Sequence, residues 1–451
     1  MDNFLKKADR FYLSIAMPAA IEGIFMILLA SADLIMVGSV GAMAVAAVGV
    51  FVQPRMALLT FTRSLASAVT LRASYLCGEG RPRAFAVTLL KQSALFGAVL
   101  LGAIHFAFWY FLAEIFKVMG ATSEYFALAM DYGSIATIGV MLTSMAIMLQ
   151  AVLLGYGKTA VIMRTNVIGN VVNVVVNAIL IFGIGPFPRL GVVGAAYGTL
   201  VGTAVTLVLT CTSLYKDGFL AGGKWIPDSD FYHDIIPVSM SVFAEQGSER
   251  IGMLLFARMA ADLGAIPFAV HSICMNICDF YYCFAQGFGK ASMVLAGQAF
   301  GKKDHEDWHL YRQVGIKWTF LLSLLAFLLT VIFRDNIFSI YSSDPESIAM
   351  SSVIMLYVAA VSFPEAHALI SAGVLRGTGH TSLVAAYSFL SVTVMRPILT
   401  AVFIYVMDWG IIGLWRALFI DQCIRALSSE LFVRHIAHKD SFLAQAPYKR
   451  D

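Results

Sequence analysis

A lone acidic residue lies inside a long apolar stretch near the start of the chain. Asp33 closes an apolar run that begins near Phe11, and no basic residue lies within one helical turn on either side of it. A carboxylate in hydrocarbon costs roughly 2.5–3.5 kcal/mol on insertion scales. Acidic residues kept at such positions most often bind an ion or carry a proton. Asp33 is therefore the first candidate for chemistry.

Amide and hydroxyl oxygens later in the chain could complete a cation site around Asp33. Asn173 and Asn177 lie four residues apart and so share one face of a predicted helix, and Thr199 lies on the next one. One carboxylate with neutral oxygen donors suits a hard monovalent cation. The carboxyl group could hold a proton instead, and the asparagines could simply join neighbouring helices. The charge of Asp33, which packing does not require, favours an ion or proton site.

Acidic residues also occur in apolar stretches elsewhere in the chain. Glu245 and Glu365 each follow a proline, which frees backbone carbonyls and kinks a helix, as suits a cavity or hinge. We expect both to contact substrate or carry a proton rather than to form only interhelical ion pairs. Glu22 is a further candidate for such coupling, but Glu22, Arg55 and Arg63 could either line a cavity or neutralise one another, and we favour pairing.

The composition is that of a membrane protein with many spans. Of the 451 residues, 59% are hydrophobic and only 13% charged, whereas soluble domains carry roughly 25% charged residues. A membrane-spanning helix needs about 20 apolar residues. Twelve stretches meet this length, and we predict an all-α fold from residues 11–37, 45–76, 88–112, 125–154, 160–183, 191–215, 235–261, 268–299, 314–333, 348–375, 382–406 and 411–432.

Basic residues fall mainly on one side of the predicted spans. That side holds Lys6, Lys7, Arg10, Arg81, Arg83, Lys91, Lys158, Arg164, Lys216, Lys224, Lys302, Lys303, Arg312, Lys317, Arg376, Arg434, Lys439, Lys449 and Arg450. The other side holds only Lys117, Arg189 and Arg334. By the positive-inside rule, we expect a multi-pass protein of the inner (plasma) membrane with both termini cytoplasmic.

The two halves of the chain repeat each other at an offset near 220 residues. The matched positions include Pro18 with Pro237, Gly155 with Gly377, Gly157 with Gly379, and Thr159 with Thr381. Two six-helix bundles of the same orientation imply a pseudo-twofold axis along the membrane normal and a binding site where they meet, as in secondary transporters. We predict an N-terminal lobe at 1–215, a cytoplasmic linker at 216–234, and a C-terminal lobe with a cytoplasmic tail at 235–451.

Other functional classes lack their motifs. Gly157-Lys158-Thr159 resembles the end of a phosphate-binding loop, but position 152 is valine and no strand precedes it. Transport is therefore expected to use a Na⁺ or H⁺ gradient rather than a nucleotide, with no cofactor. The sequence has no clustered nucleophile or metal set, so we do not expect an enzyme. The net charge of +3 gives no reason to expect nucleic acid. The expected partners are a small organic substrate and membrane lipid, and we expect a monomer.

Nearly the whole chain resembles the multidrug and toxic-compound extrusion (MATE) transporters. The resemblance rests on Pro18 with Asp33 and Val37-Gly38-x-x-Gly41, Gly155-Tyr-Gly-Lys-Thr, Asn173-x-x-x-Asn177, Leu190-Gly191-Val192-Val193-Gly194, Pro237 with Glu245, Ala269-Val270-His271 and Leu375-Arg376-Gly377. It implies a V of two bundles and export driven by inward sodium or proton flow.

The resemblance also implies roles for particular residues. Asp33, Asn173, Asn177 and Thr199 match the family's first-lobe cation site. Glu245 matches the acidic residue of the second lobe. Glu365 stands where the norfloxacin-exporter branch has aspartate, so its carboxylate is displaced by about one bond.

The sequence favours an antiporter that exports amphiphilic drugs or metabolites, and alternatives stay open. One is a flippase for lipid-linked oligosaccharides, which would need a cavity dominated by cationic side chains to hold a diphosphate. Acidic residues offset the arginines here, which disfavours that function. Export of a dedicated natural product is another alternative. A channel is also conceivable, but nothing resembles a selectivity filter.

Overall fold

The computed structural model describes residues 2–342 and 344–437, and every regular element in this part of the chain is helical. The long helices are α1 (Asp2–Gly38), α2 (Ala42–Gly78), α3 (Arg83–Tyr110), α4 (Phe126–Gly155), α5 (Thr159–Phe182), α6 (Val192–Lys216), α7 (Ser229–Ala261), α8 (Ala265–Lys302), α9 (His305–Ser339), α10 (Pro345–Gly377), α11 (Thr381–Val406) and α12 (Gly410–Ile436). A short helix, Leu112–Val118, follows α3.

The predicted all-α fold is confirmed, since each of the twelve predicted stretches contains one long helix. Among the described residues, nine of these helices are long and apolar enough to cross a membrane. The other three are α7, α8 and α12. Charged residues such as Glu245 and Glu249 in α7, and Asp421 and Arg425 in α12, lower their hydropathy. Lys439, Lys449, Arg450 and the rest of the predicted tail lie outside the described residues.

The connection between the two halves is shorter than the predicted 216–234. Helix α6 ends at Lys216 and α7 begins at Ser229. The early start of α7 is explained by Asp228, whose carboxylate accepts a hydrogen bond of 2.9 Å from the Phe231 amide and caps the helix. The division of the chain into lobes at this linker stays a prediction.

By their contacts, the residues form two compact units. One comprises Met1–Ala20 and Met240–Asp451, and the other comprises Ile21–Ser239. We call the first the α8–α12 unit and the second the α2–α6 unit. The boundaries fall inside α1 and α7, a few residues after Pro18 and Pro237 respectively. Each of these two helices therefore has residues in both units. The two boundaries are also separated by about the same number of residues as the matched positions of the sequence repeat.

Matching glycines set equivalent close contacts within the two units. A Cβ at Gly155 of α4 would lie 2.6 Å from the carbonyl oxygen of Thr70 in α2. A Cβ at Gly377 of α10 would lie 2.6 Å from the carbonyl oxygen of Met293 in α8. Real side chains do not approach this closely, so both positions need a residue without Cβ for the helices to touch. The sequence repeat is therefore also a repeat of packing.

Candidate functional site

The four residues predicted to form a cation site lie together in the α2–α6 unit. Asn177 Nδ2 donates to Asp33 Oδ1 across 2.8 Å and lies 3.2 Å from Asn173 Oδ1. Asn173 Nδ2 in turn donates to Thr199 Oγ1 across 3.1 Å. The side chains therefore form one continuous hydrogen-bonded chain that joins α1, α5 and α6.

Glycines of α6 bring the asparagines of α5 into this position. Gly194, Gly198 and Gly202 are spaced by four residues, so they form a small-residue stripe along one face of α6. A Cβ at Gly198 would lie 1.9 Å from Asn177 Oδ1, and one at Gly202 would lie 2.6 Å from the Asn173 Cβ. The stripe therefore lets α5 approach α6 closely enough for Asn173 to reach Thr199.

One acceptor at this site has no donor. Asn177 is only 1% exposed, and its Oδ1 is buried with no hydrogen-bond partner among the described residues. A buried amide oxygen without a partner is costly. A cation held by Asp33 would give it one, since Na⁺ and hydrated protons bind carboxylate and amide oxygens. The residues present therefore fit a small monovalent cation, with Arg55 near enough to interact electrostatically with Asp33.

Glu22 lies in the same unit and binds a further asparagine of α5. Asn166 Nδ2 donates to Glu22 Oε1 across 2.5 Å. The neutralisation by Arg55 or Arg63 considered from the sequence is not found, since Glu22 forms no ion pair in the described part of the chain.

Glu245 lies in a buried ion network of the α8–α12 unit. It is 1% exposed and pairs with Arg376 Nη2, while Arg425 Nη2 lies 4.0 Å from its Oε1 and pairs with Glu249. The geometry thus includes the ion pairing that the sequence disfavoured for Glu245. Its Oε2 is buried without a hydrogen-bond partner among the described residues. A role of Glu245 in coupling stays a prediction.

Glu365 is half-buried on α10 and forms no ion pair among the described residues. Charged neighbours surround it at longer range: Arg425 and Arg396 attract its carboxylate, and Asp279 and Asp421 repel it. Its position is compatible with a coupling role.

Sequence reasoning missed the arginines that neutralise this unit. The predicted span 348–375 stops short of Arg376, but this residue lies in the last turn of α10 and pairs with Glu245. Arg396 is 2% exposed and binds Asp421 Oδ2 at 2.9 Å through Nε and 2.5 Å through Nη2. Each of these arginines is a charged residue in or beside an apolar stretch, and this position alone could have indicated that it needs a buried acidic partner.

No group of three or more His, Cys, Asp or Glu side chains that could hold a metal ion occurs in the described part of the chain. The candidate cation site consists instead of the oxygen donors of Asp33, Asn173, Asn177 and Thr199. Only one of them is charged.

Comparison with protein families identifies the chain. The MatE family model matches residues 18–179 and again residues 237–402. The two matches begin at Pro18 and Pro237, so they confirm the predicted internal repeat.

Curated relatives match most of the length of the chain. Probable multidrug resistance protein NorM of Thermotoga maritima is 26% identical over 445 residues, which cover 95% of this chain and 94% of the relative. Multidrug resistance protein MdtK of Yersinia enterocolitica is 26% identical over 398 residues, which cover 84% and 83%.

Solved structures share the fold. An outward-facing multidrug resistance MATE family transporter matches with a TM-score of 0.87 at 20% identity, over 97% of both chains. A MOP superfamily transporter from Pyrococcus furiosus, described as having a binding pocket of reverse polarity, matches with a TM-score of 0.86 at 21% identity, over 95% and 96%. Because the family model matches more than half of the sequence, the chain belongs to the MatE family of multidrug and toxic-compound extrusion (MATE) transporters.

Proposed function

We propose that this chain is an antiporter that exports amphiphilic organic compounds, drugs or metabolites, from the cytoplasm in exchange for inward Na⁺ or H⁺. The observation that carries the proposal is the contact of Asp33 with Asn177, whose buried Oδ1 lacks a donor among the described residues. The names of the NorM and MdtK relatives support drug-like cargo. The protein would be a monomer in the inner membrane with both termini cytoplasmic.

The site suggests how a cation could change the protein. The Asn177 amide now donates to Asp33 through Nδ2, so a cation between the two side chains must turn Oδ1 toward itself and replace this hydrogen bond. The link between α1 and α5 therefore differs between the loaded and empty states. Because α1 has residues in both units, this change would bend a helix that they share. Such a difference in binding between states is what alternating access requires.

The acidic residues Glu245, Glu365 and Glu22 would serve substrate or proton coupling. Glu245 and Glu365 lie in a unit whose helices also carry arginines, among them Arg376, Arg396 and Arg425. An organic cation would be attracted to a carboxylate that a conformational change separates from its arginine. This assignment rests on the family resemblance and on the burial of Glu245.

The test is efflux of ethidium, a fluorescent organic cation, from proteoliposomes containing the full chain. A Na⁺ gradient and a pH gradient are imposed separately on wild type, Asp33→Asn, and Asp335→Asn as a matched control on the exposed surface of α9. We expect one gradient to accelerate efflux in wild type and the control but not in Asp33→Asn. Equal efflux by Asp33→Asn and wild type under the accelerating gradient would refute the assignment of Asp33.

The rival function is a flippase for lipid-linked oligosaccharides. It needs unpaired cationic side chains for a diphosphate, whereas Arg376, Arg396 and Arg425 each pair with a carboxylate. If neither gradient accelerates ethidium efflux, the cargo is not a drug-like cation. Export of a dedicated natural product, including a zwitterionic or anionic metabolite, would then be tested next.

A further inference from the structure

Helices α1 and α5 are joined by three side-chain contacts at a constant spacing. Glu22 binds Asn166, Met26 Sδ lies 3.0 Å from Asn170 Nδ2, and Asp33 binds Asn177. The residue numbers in each pair differ by 144, so the two helices run in the same direction and in register. We call this line of contacts the α1–α5 seam.

Each helix presents one polar face to the seam. The α5 side chains are Asn166, Asn170, Asn173 and Asn177, spaced by four, three and four residues, which places them along one stripe. On α1 the carboxylates of Glu22 and Asp33 lie 11 residues apart on the same face, which is about 16 Å along a helix. Amide groups spaced about one helical turn apart therefore line the stretch of α5 that faces the two carboxylates.

The Glu22 end of the seam is built as a second polar site. Asn166 Oδ1 accepts from Gln150 Nε2 of α4 across 2.8 Å, and the same Nε2 lies 3.1 Å from Thr210 Oγ1 of α6. Gln150 and Thr210 are buried. Glu22 is therefore oriented by a network from three other helices, as Asp33 is by Asn177, Asn173 and Thr199.

The carboxylates of the seam differ from three buried or half-buried carboxylates of the α8–α12 unit. Glu245, Glu249 and Asp421 each pair with an arginine. Within the described residues, neither Glu22 nor Asp33 has a lysine or arginine at ion-pair distance. An unpaired carboxylate inside membrane-spanning helices is costly and is typically kept for ion or proton transfer.

We propose that Glu22, with Asn166 and Gln150, forms a second cation station, and that the coupling cation passes along the α1–α5 seam between Asp33 and Glu22. This inference rests on the proposed coupling at Asp33. With the N-terminus cytoplasmic, Glu22 is the cytoplasmic end of the path, so it receives the cation released from Asp33. One positive charge leaves one carboxylate and neutralises the other, and the net charge of the seam is constant during the transfer.

The station is tested with Glu22→Gln, which removes the charge but keeps an oxygen that accepts from Asn166. Wild type, Glu22→Gln, Glu22→Asp, Asp33→Asn and the exposed control Glu124→Gln are compared in proteoliposomes. Three quantities are measured: gradient-driven ethidium efflux, ethidium exchange without an ion gradient, and the cation influx that ethidium efflux drives, with ²²Na⁺ or an internal pH dye. Binding of ²²Na⁺ or protons to the purified variants is measured separately.

We expect Glu22→Gln to lower the rates of gradient-driven ethidium efflux and of cation influx at least tenfold. Ethidium exchange and equilibrium cation binding at Asp33 should stay at the wild-type level. Glu22→Asp and Glu124→Gln should transport like wild type within about twofold. A purely structural Glu22 would instead lower exchange and efflux together, and this result would overturn the proposal.

The outcomes for the two carboxylates separate this inference from the proposed function. Wild-type efflux by Glu22→Gln, with Asp33→Asn inactive, would overturn the second station and leave coupling at Asp33 intact. Wild-type efflux by Asp33→Asn would overturn both, because the path would then have no donor site. If both variants lose gradient-driven efflux, and only Glu22→Gln keeps ethidium exchange and cation binding, the result supports both coupling at Asp33 and the second station at Glu22.

Discussion

Replacing Glu245 should destabilise the protein because the charge of its network would no longer balance. Glu245 and Glu249 face Arg376 and Arg425, so two carboxylates neutralise two guanidinium groups. Glu245→Leu would leave both arginines with one carboxylate between them. Glu245 is 1% exposed, and removal of one partner of a buried ion pair costs about 3–5 kcal/mol.

Removing Arg376 as well should restore most of this loss. In the double variant Glu245→Leu/Arg376→Met, the pair of Arg425 with Glu249 stays balanced, and the two new side chains are apolar and of similar volume. Replacement of a complete buried ion pair by such residues is often neutral or stabilising. We therefore expect the double variant to lie within about 1–2 kcal/mol of wild type, well above either single variant.

The assay is the free energy of unfolding in mixed micelles for wild type, both single variants and the double variant, with exposed Glu124→Leu as the control. The coupling energy of the double-mutant cycle gives the interaction directly. The reasoning is refuted if Glu245→Leu unfolds within about 1 kcal/mol of wild type, or if the losses of the two single variants simply add in the double variant.

Two further predictions concern the α2–α6 unit and the start of α7. Gly198→Ala should lower gradient-driven efflux at least tenfold in folded protein, because the new Cβ would lie 1.9 Å from Asn177 Oδ1; Gly49→Ala, which meets nothing within 4 Å, should transport normally. Asp228→Ala should cost about 0.5–1 kcal/mol of unfolding free energy at pH 7 through loss of the α7 cap. The bond from the Phe231 amide lowers the pKa of Asp228, so its contribution is present above pH about 4 and disappears on further acidification. Unfolding at pH 7 and pH 3 measures this, and an undiminished difference at pH 3 would contradict it.

Much of the fold could be predicted from the sequence because membrane-spanning helices are specified locally. A span needs a sufficiently long apolar run, and its backbone hydrogen bonds are satisfied within the helix. Each of the twelve stretches accordingly contains a long helix, including α7, whose apolar character is interrupted by charge. The main local error was the start of α7, where the Asp228 cap extends the helix beyond its apolar part.

The first candidate site could also be proposed from residue types. Asp33 was conspicuous as an isolated charge, and Asn173 with Asn177 shared a face because helical periodicity fixes it. The sequence placed both residues in one site, but only the structure shows that Asn177 donates directly to Asp33, since this contact joins residues 144 positions apart. The glycine stripe of α6 acquires its meaning only when α5 lies against it.

Charge pairing was decided by tertiary structure. The sequence states how many carboxylates and guanidinium groups the chain has. An ion pair forms only when two such groups lie within a few ångströms of each other, and this depends on which helices are in contact. The sequence predicted that Arg376 lies just beyond a helix, but it pairs with Glu245. It also favoured an arginine partner for Glu22, which instead binds Asn166. The sequence by itself determined the helices, their repeat and the unusual acids. Only tertiary structure determined which acids form ion pairs and which, like Asp33 and Glu22, have no lysine or arginine at ion-pair distance in the described part of the chain, because long-range contacts are not encoded by local periodicity.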